Sequence, residues 1–196
     1  MNIVERAKNI LLNPKAEWDK ISEEETSQGA LLGSYVVPLA LIPAIASFIG
    51  YGFIGYNTIF FKMAGISWGI HHAVISFAGS LLGLIITSFV VNALAPNFGS
   101  QKNPVKAMQL VAYSFTPSWV AGILNILPSL SSIAALIGLY GIYLMYLGLP
   151  KLMKTPGDKV VIYLIVTIVV VIVVYLIISS ILGAILASVI GLSMIR

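Results

Sequence analysis

Apolar residues fall in five long, nearly unbroken stretches, at about 30–55, 69–95, 106–127, 129–149 and 160–192. Each is near or above the roughly 20 residues that a helix needs to cross a hydrocarbon layer. Lipid offers no partner for unpaired backbone groups, so all five are expected to be helices. The polar positions between them are turn signals. Pro96-Asn97-Phe98-Gly99-Ser100 ends the second stretch and Asn103-Pro104 opens the third. Pro128-Ser129 gives an uncharged hairpin turn, and Thr155-Pro156-Gly157-Asp158 precedes the fifth stretch. The pattern predicts an all-α, polytopic integral membrane protein: a bundle of five transmembrane helices, residues 29–196, behind an N-terminal segment, residues 1–28.

The N-terminal segment has a different pattern. Asn2 and Glu5 have capping-box spacing. Ile3, Val4, Ala7, Ile10 and Leu11 share a helical face, and Pro14 closes the helix. Trp18 and Ile21 follow at a spacing of three. Ile3, Ile10, Leu11 and Trp18 are candidate membrane-surface residues. Two readings stand side by side: an amphipathic helix on the cytoplasmic leaflet, or a helix packed beneath the bundle's own loops. Glu23-Glu24-Glu25 is read as a solvated linker. The segment holds no apolar core of signal-peptide length, so the first span is expected to direct insertion.

Composition narrows the class. Charged residues make up 9% of the chain and apolar ones 59%, far from the roughly one quarter charged of a soluble domain. Between Thr26 and Gly157 there is no Asp or Glu. The formal charge of +4 comes from lysines scattered between apolar runs, so topology explains it better than nucleic acid does. Arg6, Lys8, Lys15, Lys20, Lys102, Lys106, Lys151, Lys154 and Lys159 fall on one side, Lys62 and Arg196 on the other. The positive-inside rule then predicts a cytoplasmic N-terminus and an outside C-terminus. Phe60, Phe61 and Trp68 favour the headgroup layer at the outer connection. The fifth span is overlong, and a break near Ser179-Ser180 or Gly183 is expected.

Candidate chemistry is sparse. No ionisable group lies in the span cores, no cysteine exists, and no phosphate loop or metal spacing appears. No enzyme, metal or cofactor is expected. His71 and His72, about 100° apart on a helix, are read as interfacial rather than ligating. Asn92, Gln109, Ser114, Thr116 and Asn125, with a kink at Pro117, are the candidate intramembrane polar groups. Asn92 and Gln109 are expected at equal depth. Interhelical hydrogen bonding is the bland use, and a polar path the sharp one. Gly79, Gly83, Gly138 and Gly141, with Gly183, Ala187 and Gly191 farther on, mark small-residue faces for packing within the bundle or between copies. Tyr140, Tyr143 and Tyr146 form a near-stripe, for packing or a lipid-headgroup or partner groove.

Ala112-Tyr113-Ser114-Phe115-Thr116-Pro117, then Ile126-Leu127-Pro128, Gly138-Leu139-Tyr140 and Tyr146-Leu147-Gly148-Leu149-Pro150 resemble the Yip (Ypt-interacting protein) domain family. Asn13-Pro14 with Trp18 resembles the start of its prokaryotic members, which implies a multi-pass protein of a prokaryotic cell membrane. Eukaryotic relatives are associated with Rab-type GTPases, but their Asp-Leu-Tyr-Gly-Pro element is absent here, and GTPase binding is not carried over. The expected partners are the lipid bilayer and, through the helix faces, proteins or a second copy. The leading functional expectation is a non-catalytic protein that organises membrane or partners. The alternative is a small transporter, channel or lipid-moving protein with a weakly polar path around Pro117.

Overall fold

The computed structural model describes the backbone of residues 2–57 and 62–194, and the side chains of these except 56, 57, 62, 63, 179 and 181–194. Two short helices, α1 (Ile3–Leu12) and α2 (Pro14–Glu23), form an N-terminal hairpin. A long helical run, α3 (Gln28–Ile54), follows, widened to π geometry at Leu32–Val36 and Gly50–Ile54. A pair of two-residue antiparallel strands, Tyr56–Asn57 and Lys62–Met63, then leads to α4 (Ile66–Leu94). Next come α5 (Pro104–Ser114), α6 (Thr116–Ala121) and a 3₁₀ turn at Gly122–Ile126. The chain returns through a 3₁₀ turn at Pro128–Leu130, α7 (Ser131–Gly138) and α8 (Tyr140–Leu152), and leaves along α9 (Val160–Met194).

Among the described residues, four helical runs are long and apolar enough to cross a bilayer: Gln28–Ile54, Ile66–Phe98, Pro128–Leu152 and Val160–Ile178. The third apolar stretch of the sequence is not one helix. It breaks at Phe115, because Pro117 has no N–H to donate and its ring excludes the carbonyl four residues back, that of Tyr113. Its last turn tightens to 3₁₀ before Leu127. The expected break in the fifth stretch is absent: α9 runs unbroken past Ser179-Ser180 and Gly183. The side chains at Gly183, Ala187 and Gly191 lie outside the described residues, as do Phe60 and Phe61.

The first half of the broken segment is enclosed on all sides. Every side chain from Ala107 to Ser114 is buried. The segment runs parallel to α3 with contacts at both ends. At one end Gln28 Nε2 donates to Pro104 O (3.3 Å). At the other, a Cβ on Gly50 would collide with the Asn125 and Ile126 carbonyls. Between them Tyr35 and Thr116 share a hydroxyl hydrogen bond of 2.8 Å. At 1.5 Å per residue, Gln28 to Gly50 spans about 33 Å.

The connections at the Gln28 end are laced together. Gln101 N–H donates to Met153 O (2.8 Å) and Ser100 Oγ to Thr155 Oγ1 (2.9 Å). Tyr163 donates to Val91 O, and its ring stacks on Phe98 (4.8 Å). Lys102, Lys106, Lys151, Lys154 and Lys159 therefore share one end of the bundle with the N-terminal hairpin. At the far end α3 and α4 touch backbone to backbone: a Cβ on Gly69 would lie 2.7 Å from Phe48 O and 2.8 Å from Gly52 Cα.

The glycines separate packing from exposure. Gly50→Ala forces the segment after Pro117 away from α3 and should cost about 1–3 kcal/mol, read as a lowered thermal midpoint in detergent or lipid. Gly79 has nothing within 4 Å of a Cβ position, so Gly79→Ala should be neutral, or stabilise by up to about 1 kcal/mol through helix propensity.

Candidate functional site

The hairpin folds from local signals and then docks. Asn2 caps α1, its side chain accepting from Val4 N–H at 3.0 Å. Pro14 opens α2, where a missing N–H costs nothing. The expected amphipathic face divides between two surroundings. Ala7 and Ile10 are buried against the bundle, Ile3 and Leu11 are half-buried, and Val4 is exposed (70%), as is Leu12 (74%), which lies outside that face. In α2, Trp18 and Ile21 are fully buried. Trp18 meets Tyr113 edge to face at 6.2 Å and lies over Gly148, where a Cβ would come within 2.9 Å of the indole. Each fully buried isoleucine contributes about 1.5–3 kcal/mol relative to exposure.

Charges complete the docking. Arg6, 5% exposed, donates from Nη1 to Glu17 Oε1 (2.7 Å) and from Nη2 to Glu24. Glu17 is 1% exposed and also faces Lys20 (3.6 Å). The Arg6 guanidinium lies 5.5 Å from the Tyr113 ring centroid, within cation–π range. Tyr113 packs edge to face on Tyr35 at 4.7 Å, and Tyr35 continues to Thr116. From the bundle side, Lys106 Nζ donates to the carbonyls of Ile21 (3.4 Å), Ser22 (3.0 Å) and Glu24 (2.9 Å). It thereby satisfies the orphan carbonyls at the end of α2. A cavity of about 320 Å³ opens beside the cluster, walled by Arg6, Glu24, Glu25, Ser34, Tyr35 and Tyr113.

Sequence reasoning missed this cluster. Arg6 reads as an off-face charge and Glu24 as part of a solvated run, yet Arg6 is buried and Glu24 is paired with it. The available signal was Trp18 and Ile21 at helical spacing after an N1 proline, which marks α2 and puts Glu17 on its buried side.

The other expected residues scatter. Gln109 is 1% exposed, and neither of its amide atoms has a partner among the described residues; Asn92 Oδ1 is likewise unpartnered. The expected Asn92–Gln109 hydrogen bond is not made. Ser114 Oγ is also buried without a partner, whereas Thr116 is engaged by Tyr35. Pro117 is buried at the start of α6. Asn125 lines a cavity of about 380 Å³ with Tyr51, His72 and Ser131. His72 stacks on Tyr51 at 3.7 Å and His71 on Trp68 at 5.7 Å. Among the described residues no group of His, Cys, Asp and Glu could hold a metal.

Gly83 is packed beneath the Tyr175 hydroxyl, Gly138 against Ser118 and Gly141 against the Ser114 carbonyl, but Gly79 faces outward. Tyr140 donates to Leu11 O (3.1 Å) and so belongs to the hairpin contact, while Tyr143 and Tyr146 are exposed. A second cavity, about 220 Å³, lies beside the α5–α6 break and is lined by Thr87, Ser114, Gly141 and Thr167 among apolar neighbours.

Removing one partner of a buried ion pair leaves the other charge unmatched. Arg6→Ala should cost about 3–5 kcal/mol and expose the hairpin to limited proteolysis between Leu12 and Thr26. Glu5→Ala, on the exposed face of α1, should leave the cleavage pattern unchanged.

The comparisons with known proteins point to a membrane protein. The chain is 26% identical over 121 residues to the inner membrane protein YohC of Escherichia coli, in both strain K12 and strain O6:H1 (CFT073). That alignment covers 61% of this chain and 62% of the relative, so the chain spans less than two thirds of the curated relatives it matches. No solved structure matches. The Yip1 domain family matches residues 8–181, from within α1 into α9, and the chain therefore belongs to the Yip1 domain family of integral membrane proteins.

Proposed function

We propose that this protein is a non-enzymatic, five-span member of its family that organises membrane or protein partners through its docked N-terminal hairpin. The observation that carries the reading is the double face of α1. One side is fixed to the bundle by Ala7, Ile10 and Arg6, and the other presents Val4 and Leu12 outward. Beside that outward stripe lies an apolar cavity of about 560 Å³, walled by Ile3, Leu11, Pro38, Leu39, Ile42 and Val120. A rigid helix that exposes Val4 and Leu12 on either side of the exposed Lys8 suits contact with a leaflet, the apolar side chains entering it and the lysine reaching its headgroups.

The fifth crossing is the segment from Pro104 to Ile126. Its support is the parallel course beside α3, with contacts at Gln28 and at Gly50. Its interruption is compatible with a crossing because it is sheathed by the bundle, and broken backbone is tolerated at membrane depth only in that setting. Five crossings put the termini on opposite faces, and the clustered lysines assign the N-terminal face to the cytoplasm. A segment boundary at residues 28–29 between hairpin and membrane domain belongs to the same reading.

The second reading, a weakly polar path, draws on the cavity beside the Pro117 break and on the unpartnered Gln109, Ser114 and Thr167. Reconstituted liposomes separate the two. We expect no ion or solute flux above protein-free vesicles; flux that falls in Ser114→Ala or Thr167→Val would establish the path instead. The absence of native cysteine makes topology equally direct. A cysteine placed at Asn2 should react only from the cytoplasmic side and one at Arg196 only from outside. Labelling of both from one side contradicts five crossings.

A further inference from the structure

The far end of the bundle, away from the hairpin and the clustered lysines, holds the cavity of about 380 Å³ that Asn125 lines. Its walls come from α3, α4, α7 and the run from α6 into its 3₁₀ turn. On α3 it extends from Pro43 to Tyr51, about 12 Å of helix. On the broken segment it extends from Ser118 to Asn125, about 11 Å. The cavity therefore lies in the half of the bundle beyond the Pro117 break. Close contacts frame it: a Cβ on Gly122 would lie 2.5 Å from Pro43 Cβ, and one on Gly69 2.7 Å from Phe48 O. Walls held that tightly cannot close on one another, so the space is preformed. It opens sideways. Ile75 is 55% exposed, and Ser118 and Ala135 at the rim are exposed too. In a bilayer that opening meets lipid.

Ser47, Tyr51, His72, Ser76, Ser118 and Asn125 bring polar groups to this space. Among the described residues none of these side chains has a hydrogen-bond partner. Ser80, one turn along α4, differs: its hydroxyl donates to the Ser76 carbonyl (2.8 Å). Ser47 is the decisive side chain. It is 4% exposed. Its hydroxyl is unpaired but is not sealed from open space, as those of Ser88 and Ser114 are. The surface it keeps therefore opens into the cavity that it lines. Acyl chains alone, filling the space from the side, would leave these groups unpaired at membrane depth, which is costly. No Asp, Glu, Lys or Arg lines the cavity, so a charged head would be desolvated there without a counter-charge. Hydroxyl, amide and imidazole groups each donate and accept, and the hydroxyls of a ligand do the same. Pro43, Ile75 and Ala134 supply apolar wall between them.

We propose that this cavity binds an uncharged, hydroxyl-bearing membrane lipid of the leaflet opposite the lysine-bearing end. The hydroxylated head lies between Ser47, Ser118 and Asn125, and the chains leave past Ile75 and Ala135 into the bilayer. The missing charges select against an anionic head, and the sideways opening selects a lipid over a free sugar. The site is remote from the hairpin, so its failure leaves the hairpin's role untouched.

Full-length protein is reconstituted in nanodiscs of phosphatidylcholine containing equal small fractions of monoglucosyldiacylglycerol and phosphatidylglycerol. It is released into a detergent without a sugar head, and retained lipid is counted by native mass spectrometry. Wild type is expected to retain the glucolipid over both phospholipids. Ser47→Ala with Ser118→Ala removes two hydroxyls and should lower that retention about tenfold. Ala135→Trp, at the exposed rim where it disturbs no packing, should block entry and abolish retention. Ser80→Ala removes a hydroxyl that bonds its own helix and should leave retention unchanged. Retention of either phospholipid at the level of the glucolipid by wild type would overturn the site. So would equal retention by the Ser80 and Ser47/Ser118 variants, or wild-type retention by Ala135→Trp. Glucose at millimolar concentration should not displace the lipid; displacement by glucose alone would overturn the assignment to a lipid.

Discussion

Everything in this protein is arranged around a helix that is buried on all sides. From Ala107 to Ser114, α5 has no free face. The reason is its continuation: Pro117 interrupts the backbone ladder at mid-length, and an interrupted ladder facing lipid would leave carbonyls unpaired at several kcal/mol each. Sheathing removes that cost. It sets the close backbone contacts of Gly50 and Gly141 with this segment, and it places Tyr113 and Lys106 where the N-terminal hairpin can use them.

The hairpin exploits this foundation. Its apolar contribution is large: Ile10, Trp18 and Ile21 are all fully buried. Its ionic contribution is smaller in net energy, because desolvating Arg6 and Glu17 offsets most of their attraction. What the ion pairs supply is register. Arg6 reaches both Glu17 and Glu24 only when α1 and α2 are antiparallel in one alignment, and Lys106 donates to the last carbonyls of α2 only when these lie at the mouth of α5. A helix held that firmly on one face is free to use the other, and Val4 and Leu12 remain outward.

Much of the fold is legible in the sequence because lipid imposes long apolar runs and punctuated turns. The starts of α1, α5 and α9 fall where Asn2, Asn103-Pro104 and the Thr155–Asp158 turn place them. The interruption at Phe115 is visible only as a proline, and hydropathy cannot say whether a proline kinks a helix or ends it. Less of the site is legible. A charge in text looks solvated, and Arg6 is buried only because an entire hairpin folds back to meet it. Asn92 and Gln109 each lie three residues from the inner end of their apolar stretch but do not bond, since depth fixes neither rotation nor reach. Gly79 fits a small-residue face by spacing, yet the helix turns that position outward.

The central claim is that the first 24 residues are an integral layer of the membrane bundle rather than a tail beside it. Hydrogen–deuterium exchange of the protein in lipid nanodiscs tests this most directly. The structure predicts that amides from Trp18 to Ile21 exchange as slowly as those of α8, against which they pack, and only a little faster than those of α5. Exchange of the Trp18–Ile21 amides at free-peptide rates, while α5 and α8 stay protected, would contradict it.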